Sequence, residues 1–206
     1  PIAGSVEYLQ RELQLEGEEA QLIDLIARES SRLNKFVTDL LSYSRERDLA
    51  LVPVDLDDQL RDVVNTLAHD PRRGTSVHVT LEGGPGAAWV SMDPEQMHQV
   101  WLNLASNAME AVGDRGTFTI RWSAQADGGV VVDFVDSGPG IAAEDLPRVG
   151  EPFFTTKRGG TGLGLAIAQR IVERHGGVLT LESEAGRGTT ARVTLPGAAA
   201  PVAQVA

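Results

Sequence analysis

Three glycines at alternate positions, Gly160, Gly162 and Gly164, lie in the stretch KRGGTGLGLAI, which runs from Lys157 into a predicted helix. Such glycine density lets the backbone approach a ligand closely, and amides at a helix N-terminus favour an anion such as phosphate. The stretch is not a dinucleotide fingerprint, which needs glycine where Leu165 stands, nor a Walker loop, which needs lysine after the last glycine. Alone, it predicts either a phosphate-binding loop or a flexible connector.

A polar stripe lies upstream in QVWLNLASNAMEAV, where Gln99, Asn103 and Asn107 are spaced four residues apart on a predicted helix. The rest of that helix carries an apolar face that we predict to be core: Met97, Val100, Trp101, Leu104, Ala108 and Val112. Asparagine is an indifferent helix former, so two in one stripe indicate either a structural side-chain bond or contact with a ligand.

The segment VVVDFVDSGPGI reads as a strand that ends at Asp136 and is followed by Gly138 and Gly140. A carboxylate at a strand end beside bare backbone can accept a hydrogen bond from a ligand amino group. The alternative is an ordinary Asp-Ser-Gly turn.

Residues 144–162 have no clear periodicity, which is typical of a lid or a disordered connection. Lys157 and Arg158 lie in this segment. They are either the local cations that an anionic ligand needs or a solvated charged turn.

The charge balance of the 206 residues is 18 basic against 29 acidic, a net charge of −11. The resulting field argues against a general binder of nucleic acid or anionic membranes. The chain has no cysteine, which excludes disulfides and thiolate metal sites and fits an intracellular protein. No apolar run approaches the roughly 18 residues of a membrane span. The chain begins with Pro1 in mid-pattern, so we expect a fragment of a longer protein.

The first fifty residues read as a helical hairpin with a polar break at Gly17. Apolar residues repeat in steps of three and four on both sides of the break: Ile2, Val6, Leu9 and Leu13, then Leu22, Ile26, Leu33, Phe36, Leu40 and Tyr43. Two such helices cannot enclose a core, so we expect a second copy to complete a four-helix bundle. The alternative is a hairpin packed on its own downstream domain.

The remainder predicts a two-layer α/β domain with mostly antiparallel strands. We expect helices at about residues 56–68, from the Asp93 cap and Pro94 to before Gly113, and at about 163–175. Strands are predicted at SVHVTLE, AAWVSM, GTFTIRWSAQ, GVVVDFVD, GVLTLES and TTARVTLP. The predicted units are a helical hairpin at 1–50, an α/β domain at 51–196 and a disordered tail at 197–206.

Taken in order, NLASNA, DSGPGI, EPFFTTK and GTGLGL give the sequence a specific resemblance to the sensor histidine kinases of bacterial two-component systems. They match the N box, the first glycine box at 136–140, the phenylalanine box at 152–157 and the second glycine box at 160–164. The ending GRGTTARVTLP fits as well, and the short spacer after FFTTK is similar to the nitrogen-regulation type. The resemblance covers about residues 1–196.

This resemblance implies an α+β fold, with a dimeric hairpin followed by a sandwich domain of the Bergerat type that binds ATP and Mg²⁺. In the family, the aspartate matching Asp136 binds the adenine amino group, the asparagine matching Asn107 binds Mg²⁺, and the lid and glycine loop bind the phosphates. The implied nucleotide-binding residues are Asn103, Asn107, Asp136, Gly138, Gly140, Ile141, Thr156, Lys157, Gly160, Thr161, Gly162, Leu163, Gly164 and Thr189.

Related ATPases of the gyrase and chaperone type carry a glutamate base where this chain has Asn103. Because an amide cannot take a proton from water, the resemblance favours phosphoryl transfer over hydrolysis. The family's acceptor histidine is expected upstream of Pro1, so this fragment should bind Mg²⁺-ATP without phosphorylating itself. The histidines that are present, none in the acceptor motif, are expected in surface or turn positions: His69, His78, His98 and His175.

The implied partners are a second copy of the chain, bound through the hairpin, and the receiver domain of a response regulator. Nucleic acid is not expected as a partner, and neither is membrane contact by this fragment. The implied location is cytoplasmic, although the intact protein could be anchored through missing N-terminal regions. The leading hypothesis is the ATP-binding catalytic core of a sensor histidine kinase. The second hypothesis is a catalytically silent nucleotide-binding dimerisation module. The third, an ATPase, would need a base at position 103.

Overall fold

The computed structural model describes residues 4–5, 8, 17–44, 48–69, 76–84, 88–126, 128–157 and 159–197. Most of the predicted first hairpin helix, Arg158 and the tail from 198 onward lie outside the described residues. The described part has the predicted α+β fold.

The described residues from Gly17 onward form four helices and seven strands. The helices are α1 (Gly17–Ser44), α2 (Leu56–Ala68), α3 (Pro94–Val112) and α4 (Gly164–Arg174). The strands are β1 (Val52–Asp55), β2 (Ser76–Glu82), β3 (Trp89–Met92), β4 (Arg115–Ala124), β5 (Val130–Asp136), β6 (Val178–Glu184) and β7 (Gly188–Leu195). A short 3₁₀ helix, Leu146–Arg148, interrupts the long connection between β5 and α4. The predicted helices after residue 50 are confirmed to within a residue.

The main sheet has the strand order β2-β4-β5-β7-β6, in which β2 and β4 are parallel and the other neighbours antiparallel. The prediction of mostly antiparallel pairing is therefore correct. In β5, alternate residues are buried on one face, so Asp136 shares the inner face with Val132 and Phe134. The register pairs Asp136 with Phe118 on one side and with Thr189 on the other.

A separate two-stranded sheet pairs β1 with β3, and the sequence did not predict β1. The strand has only four residues, includes Pro53 and is largely exposed, so it lacks the alternation that marks a longer strand. A proline is tolerated here because β1 is an edge strand.

Helices α2, α3 and α4 contribute the buried residues that pack against the inner face of the main sheet. Trp101 of α3 stacks on Phe134 of β5 with ring centroids 5.8 Å apart, and Phe134 stacks on Phe118 at 6.2 Å. Burying aromatic rings of this size is the largest contribution to such a core. The packing fixes the polar stripe of α3 beside the end of β5.

Asp93 caps α3 as predicted, because its Oδ1 accepts the amides of Glu95 and Gln96, both at 3.1 Å. Burial favours its neutral form, yet these amides and that of Ala50 hold the pKa of Asp93 below its usual value. The amide of Asp93 itself donates to Nε2 of His175 at 3.0 Å. His175 lies in a turn, in keeping with the expected surface or turn position, but its side chain is buried.

Helix α1 keeps its predicted apolar seam exposed, with Leu22 at 58% and Leu33 at 63% relative accessibility. Its C-terminal part contacts the α/β unit through the hydrogen bonds from Gln99 to Ser42 and from Arg170 to the carbonyl of Tyr43. The helix therefore packs partly on its own downstream unit, where Tyr43 is partly buried, and the rest of the seam stays exposed. Within the described ranges, no helix is both long enough and apolar enough to cross a membrane.

Candidate functional site

A cavity of about 560 Å³ lies between α3, the end of β5 and the connection that precedes α4. It brings together nearly all the predicted binding residues: Asn103, Asn107, Asp136, Gly140, Ile141, Thr156, Lys157, Gly160, Thr161, Gly162, Gly164 and Thr189. Gly138 and Leu163 do not line it. Predicted residues as far apart in sequence as Asn103 and Thr189 thus line one cavity.

Asp136 is 7% exposed and lies at one side of this cavity. Its Oδ1 accepts the amide of Gly138 at 2.8 Å and the amide of Thr189 at 3.3 Å. Burial raises the pKa of the Asp136 carboxyl, and the two amides and the charge of Lys157 oppose that rise. Both amides bond Oδ1, so the carboxylate is held in a fixed orientation from which Oδ2 can meet a ligand donor.

The two predicted residues outside the cavity lining both support it. A side chain at Gly138 would place its Cβ 2.8 Å from Oδ1 of Asp136, so only glycine lets this amide approach the carboxylate. Leu163 is fully buried in the core, and its amide donates to Oγ1 of Thr161 at 3.3 Å. The Leu163 side chain thus anchors the start of α4 and does not itself line the cavity.

The two asparagines of α3 make different contacts. Nδ2 of Asn103 donates to the carbonyl of Gly164 at 3.1 Å, which ties α3 to the first residue of α4. Oδ1 of Asn107 accepts the Nζ atom of Lys157 at 3.3 Å. Asn103 therefore makes the structural side-chain bond that the sequence left open, and Asn107 presents an oxygen that already receives a cation.

Glu110 is a cavity residue that the sequence analysis missed. Its Oε2 lies 2.8 Å from Nζ of Lys157, so the lysine bridges Glu110 and Asn107. The helical spacing could have predicted this position, because Glu110 lies three residues after Asn107 and therefore on the same face of α3.

The connection before α4 is held by tight backbone contacts. Phe153 and Gly162 both have left-handed backbone, with φ of 69° and 66°, and the amide of Phe153 donates to the carbonyl of Gly162 at 2.9 Å. A Cβ at Gly162 would lie 2.7 Å from the carbonyl oxygen of Phe153.

On the other side of the cavity, the amide of Ile141 donates a hydrogen bond to Oγ of Ser183 at 2.8 Å.

Helix α1 also contributes to the cavity, which the sequence did not predict. Lys35 lines it, and Asp39 bonds both Lys35 and Thr161. Nothing in the spacing of α1 distinguishes these two residues from a solvated helix face.

The sequence over residues 92–199 matches the family described as histidine kinase-, DNA gyrase B- and HSP90-like ATPase. Over 195 residues the chain is 37% identical to the sensor histidine kinase ZraS of Klebsiella oxytoca, covering 95% of this chain and 42% of that protein. The chain thus spans less than half the length of this curated relative.

Two solved structures are similar to the fold described above. A structure of full-length ShkA in complex with AMPPNP aligns with a TM-score of 0.79 and 27% identity, covering 98% of this chain and 44% of the other. The histidine kinase ThkA in complex with the response regulator protein TrrA aligns with a TM-score of 0.76 and 29% identity, covering 96% and 57%. With the family match over more than half its length, this chain belongs to the histidine kinase-, DNA gyrase B- and HSP90-like ATPase family.

Proposed function

We propose that the cavity binds Mg²⁺-ATP and that the chain is the catalytic core of a sensor histidine kinase. The intact protein would transfer the γ-phosphate to one of its own histidines and then to an aspartate of a response regulator. The observation that carries the proposal is the convergence of Asp136, Asn107 and the glycine loop on one cavity. The similarity to sensor histidine kinases supports the kinase assignment.

The adenine would lie at the Asp136 end of the cavity. An ionised carboxylate accepts hydrogen bonds, so Asp136 would receive the exocyclic amino group of adenine. Thr189 pairs with Asp136 across β5 and β7 and lines the same cavity. A purine with a carbonyl in place of this amino group would bind less tightly, because two acceptors would then face each other.

The residues present suit a magnesium ion. Mg²⁺ prefers hard oxygen ligands, and Oδ1 of Asn107 is such an atom. That oxygen already accepts the ammonium of Lys157, so a cation can reach it. Mg²⁺ bound here would neutralise phosphate charge during transfer.

The phosphates would lie along residues 160–164 and the N-terminus of α4, whose amides favour anions. Lys157 and Thr156 would contact them from the connection, and Gly140 and Ile141 would close the cavity from the other side. Asn103 cannot act as a general base and bonds the carbonyl of Gly164. The site is therefore suited to positioning a phosphoryl group for transfer to a protein side chain.

We also infer the roles of the two units, the position of the acceptor histidine, the subfamily and the location of this segment. The unit at 1–50 is a dimerisation hairpin and that at 51–196 an ATP-binding domain, and the exposed seam of α1 supports pairing with a second copy. The acceptor histidine upstream of Pro1 stays a prediction. Membership of the nitrogen-regulation subfamily also stays a prediction. A response regulator and ATP as partners would place this segment in the cytoplasm.

Isothermal titration calorimetry of the chain with Mg²⁺-ATP tests the binding step. We expect saturable binding with one site per chain, and an absence of binding heat for ATP and ADP would contradict the proposal. Phosphorylation of an added segment carrying the acceptor histidine separates a kinase from a silent nucleotide-binding module. A kinase gives acid-labile, base-stable label on that segment, and a silent module gives none.

A further inference from the structure

Helix α1 is exposed along most of its length, and Asp39 is the residue of this helix that the structure buries, with 7% exposure. Burying a carboxylate is costly unless hydrogen bonds compensate for the lost water. Oδ2 of Asp39 accepts a hydrogen bond from Oγ1 of Thr161 at 2.8 Å and another from Nζ of Lys35 at 3.2 Å. A single carboxylate oxygen therefore joins α1 to the glycine loop.

The contact between α1 and the loop extends beyond this carboxylate. The guanidinium of Arg32 lies against Gly159, because a Cβ built on that glycine would be 2.7 Å from Nε of Arg32. Lys35 stands one turn further along the helix and lines the cavity itself. Arg32, Lys35 and Asp39 thus form one edge of α1 that follows the loop from Gly159 to Thr161.

The charges of the cavity give this edge a chemical role. Among its described lining residues, the basic ones are Lys35 and Lys157. The chain as a whole carries a net charge of −11, so a triphosphate depends on cations placed locally. Lys157 approaches from the α3 side, where it meets Glu110, and Lys35 approaches from α1.

We propose that α1 completes the phosphate end of the nucleotide site: Lys35 contacts the terminal phosphate of bound ATP, and Asp39 positions Thr161 throughout and Lys35 before ATP binds. This inference rests on the function proposed above and extends it to residues outside the matched range of 92–199. The Lys35 side chain is 60% exposed, so it can turn from Asp39 to a phosphate without unpacking. Asp39 then keeps its bond to Thr161.

Calorimetry on the full chain, with ATP and ADP in the presence of Mg²⁺, tests the role of Lys35. We expect Lys35→Gln to weaken ATP binding by about tenfold and ADP binding by less than about twofold, because ADP lacks the terminal phosphate. Arg28→Gln is the matched control, since Arg28 is an exposed cation of the same helix that does not line the cavity. It should change neither affinity.

The positioning role of Asp39 is tested separately, by comparing the ATP affinities of single and double variants at Asp39 and Thr161. Asp39→Ala and Thr161→Val should each weaken ATP binding, and the double variant should bind no more weakly than the more affected single variant, because each change removes the hydrogen bond between residues 39 and 161. Thr161→Ser keeps the hydroxyl that bonds Asp39, so it should weaken ATP binding less than Thr161→Val does. Thermal unfolding by circular dichroism identifies any variant that fails to fold.

The outcomes distinguish this inference from the proposal on which it rests. A wild-type chain that binds neither nucleotide overturns the proposed function and this inference with it. A wild-type chain that binds both, with Lys35→Gln affecting ATP and ADP equally or neither of them, overturns the role of Lys35 alone. Strictly additive effects of Asp39→Ala and Thr161→Val overturn the positioning role of Asp39.

Discussion

The Nζ atom of Lys157 donates a hydrogen bond to Oδ1 of Asn107 at 3.3 Å. That oxygen is the one proposed to bind Mg²⁺, so metal and ammonium cannot both occupy it. Glu110, 2.8 Å from the same Nζ, offers the lysine a second anchor. If Mg²⁺-ATP binds as proposed, Lys157 would leave Asn107 and turn to the phosphates.

Replacing Asn107 should remove the metal dependence of nucleotide binding. In wild type we expect ATP to bind more tightly with Mg²⁺ than with EDTA, and in Asn107→Ala this ratio should fall by about tenfold, or about 1.4 kcal/mol. Calorimetry in the two buffers measures it. His98→Ala, on the same helix but outside the cavity lining, is the control. A ratio that stays at its wild-type value in Asn107→Ala would exclude this asparagine as a metal ligand.

The buried carboxyl of Asp136 should make nucleotide binding sensitive to acid. Because burial raises its pKa above the usual 3.8, the carboxyl takes up a proton in the folded chain at a pH where the unfolded chain is still ionised. Its burial therefore costs folding stability above that raised pKa, and the cost is relieved as the pH falls. Nucleotide binding changes in the opposite direction, since adenine needs the ionised acceptor.

The corresponding experiment compares ATP affinity against pH in wild type, Asp136→Asn and Asp133→Asn. We expect Asp136→Asn to bind at least about tenfold more weakly at neutral pH and to lose the acid-dependent decline. Asp133 lies on the same strand but faces outward and pairs with Arg192 at 2.7 Å, so its variant should keep the wild-type profile. Equal affinities for wild type and Asp136→Asn would count against Asp136 as the adenine acceptor.

The left-handed backbone of Gly162 should be essential for the loop. Gly162→Ala adds a clash with the backbone of Phe153 to the conformational strain of about 1–2 kcal/mol, and it should weaken ATP binding by at least about tenfold. Gly128 also has positive φ, at 85°, but open space around its Cβ position. Gly128→Ala should therefore lose stability through strain alone and retain affinity. If the two variants bind ATP equally well, the close approach of Gly162 to Phe153 has no functional role.

The exposed seam of α1 should mediate self-association. We expect the wild-type chain to sediment as a dimer at micromolar concentration, and Leu33→Glu to shift it towards monomer, since Leu33 is 63% exposed. Asn34→Glu adds the same charge one residue away, outside the seam, and should leave the mass unchanged. A monomeric wild type, or the same mass for both variants, would argue that the seam does not pair with a second copy.

The sequence predicted the fold well where local signals were strong. Asp93 with Pro94 marked the start of α3, and alternation in β5 placed Asp136 at a strand end. The strand β1 was missed because four residues with a central proline carry no period. His175 lies in a turn, as the expectation of a surface or turn position allowed, but nothing in the sequence indicated that its buried ring accepts a hydrogen bond from the amide of Asp93.

The site was predictable where residues lie in motifs and not where folding alone brings them together. Residue type and spacing marked the glycine loop, Asn107 and Asp136 as candidates, and the resemblance to sensor histidine kinases supplied their expected roles. Lys35 and Asp39 lie on a helix about sixty residues before Asn103, with no pattern that connects them to the cavity. Only the packing of α1 against the loop makes them neighbours of Thr161.

The most direct test of the central claim is a crystal structure of this chain with Mg²⁺ and a non-hydrolysable ATP analogue. We expect the adenine amino group within hydrogen-bond distance of a carboxylate oxygen of Asp136, the metal on Oδ1 of Asn107, and the phosphates along residues 160–164. Adenine bound away from Asp136, or a nucleotide bound outside this cavity, would contradict it.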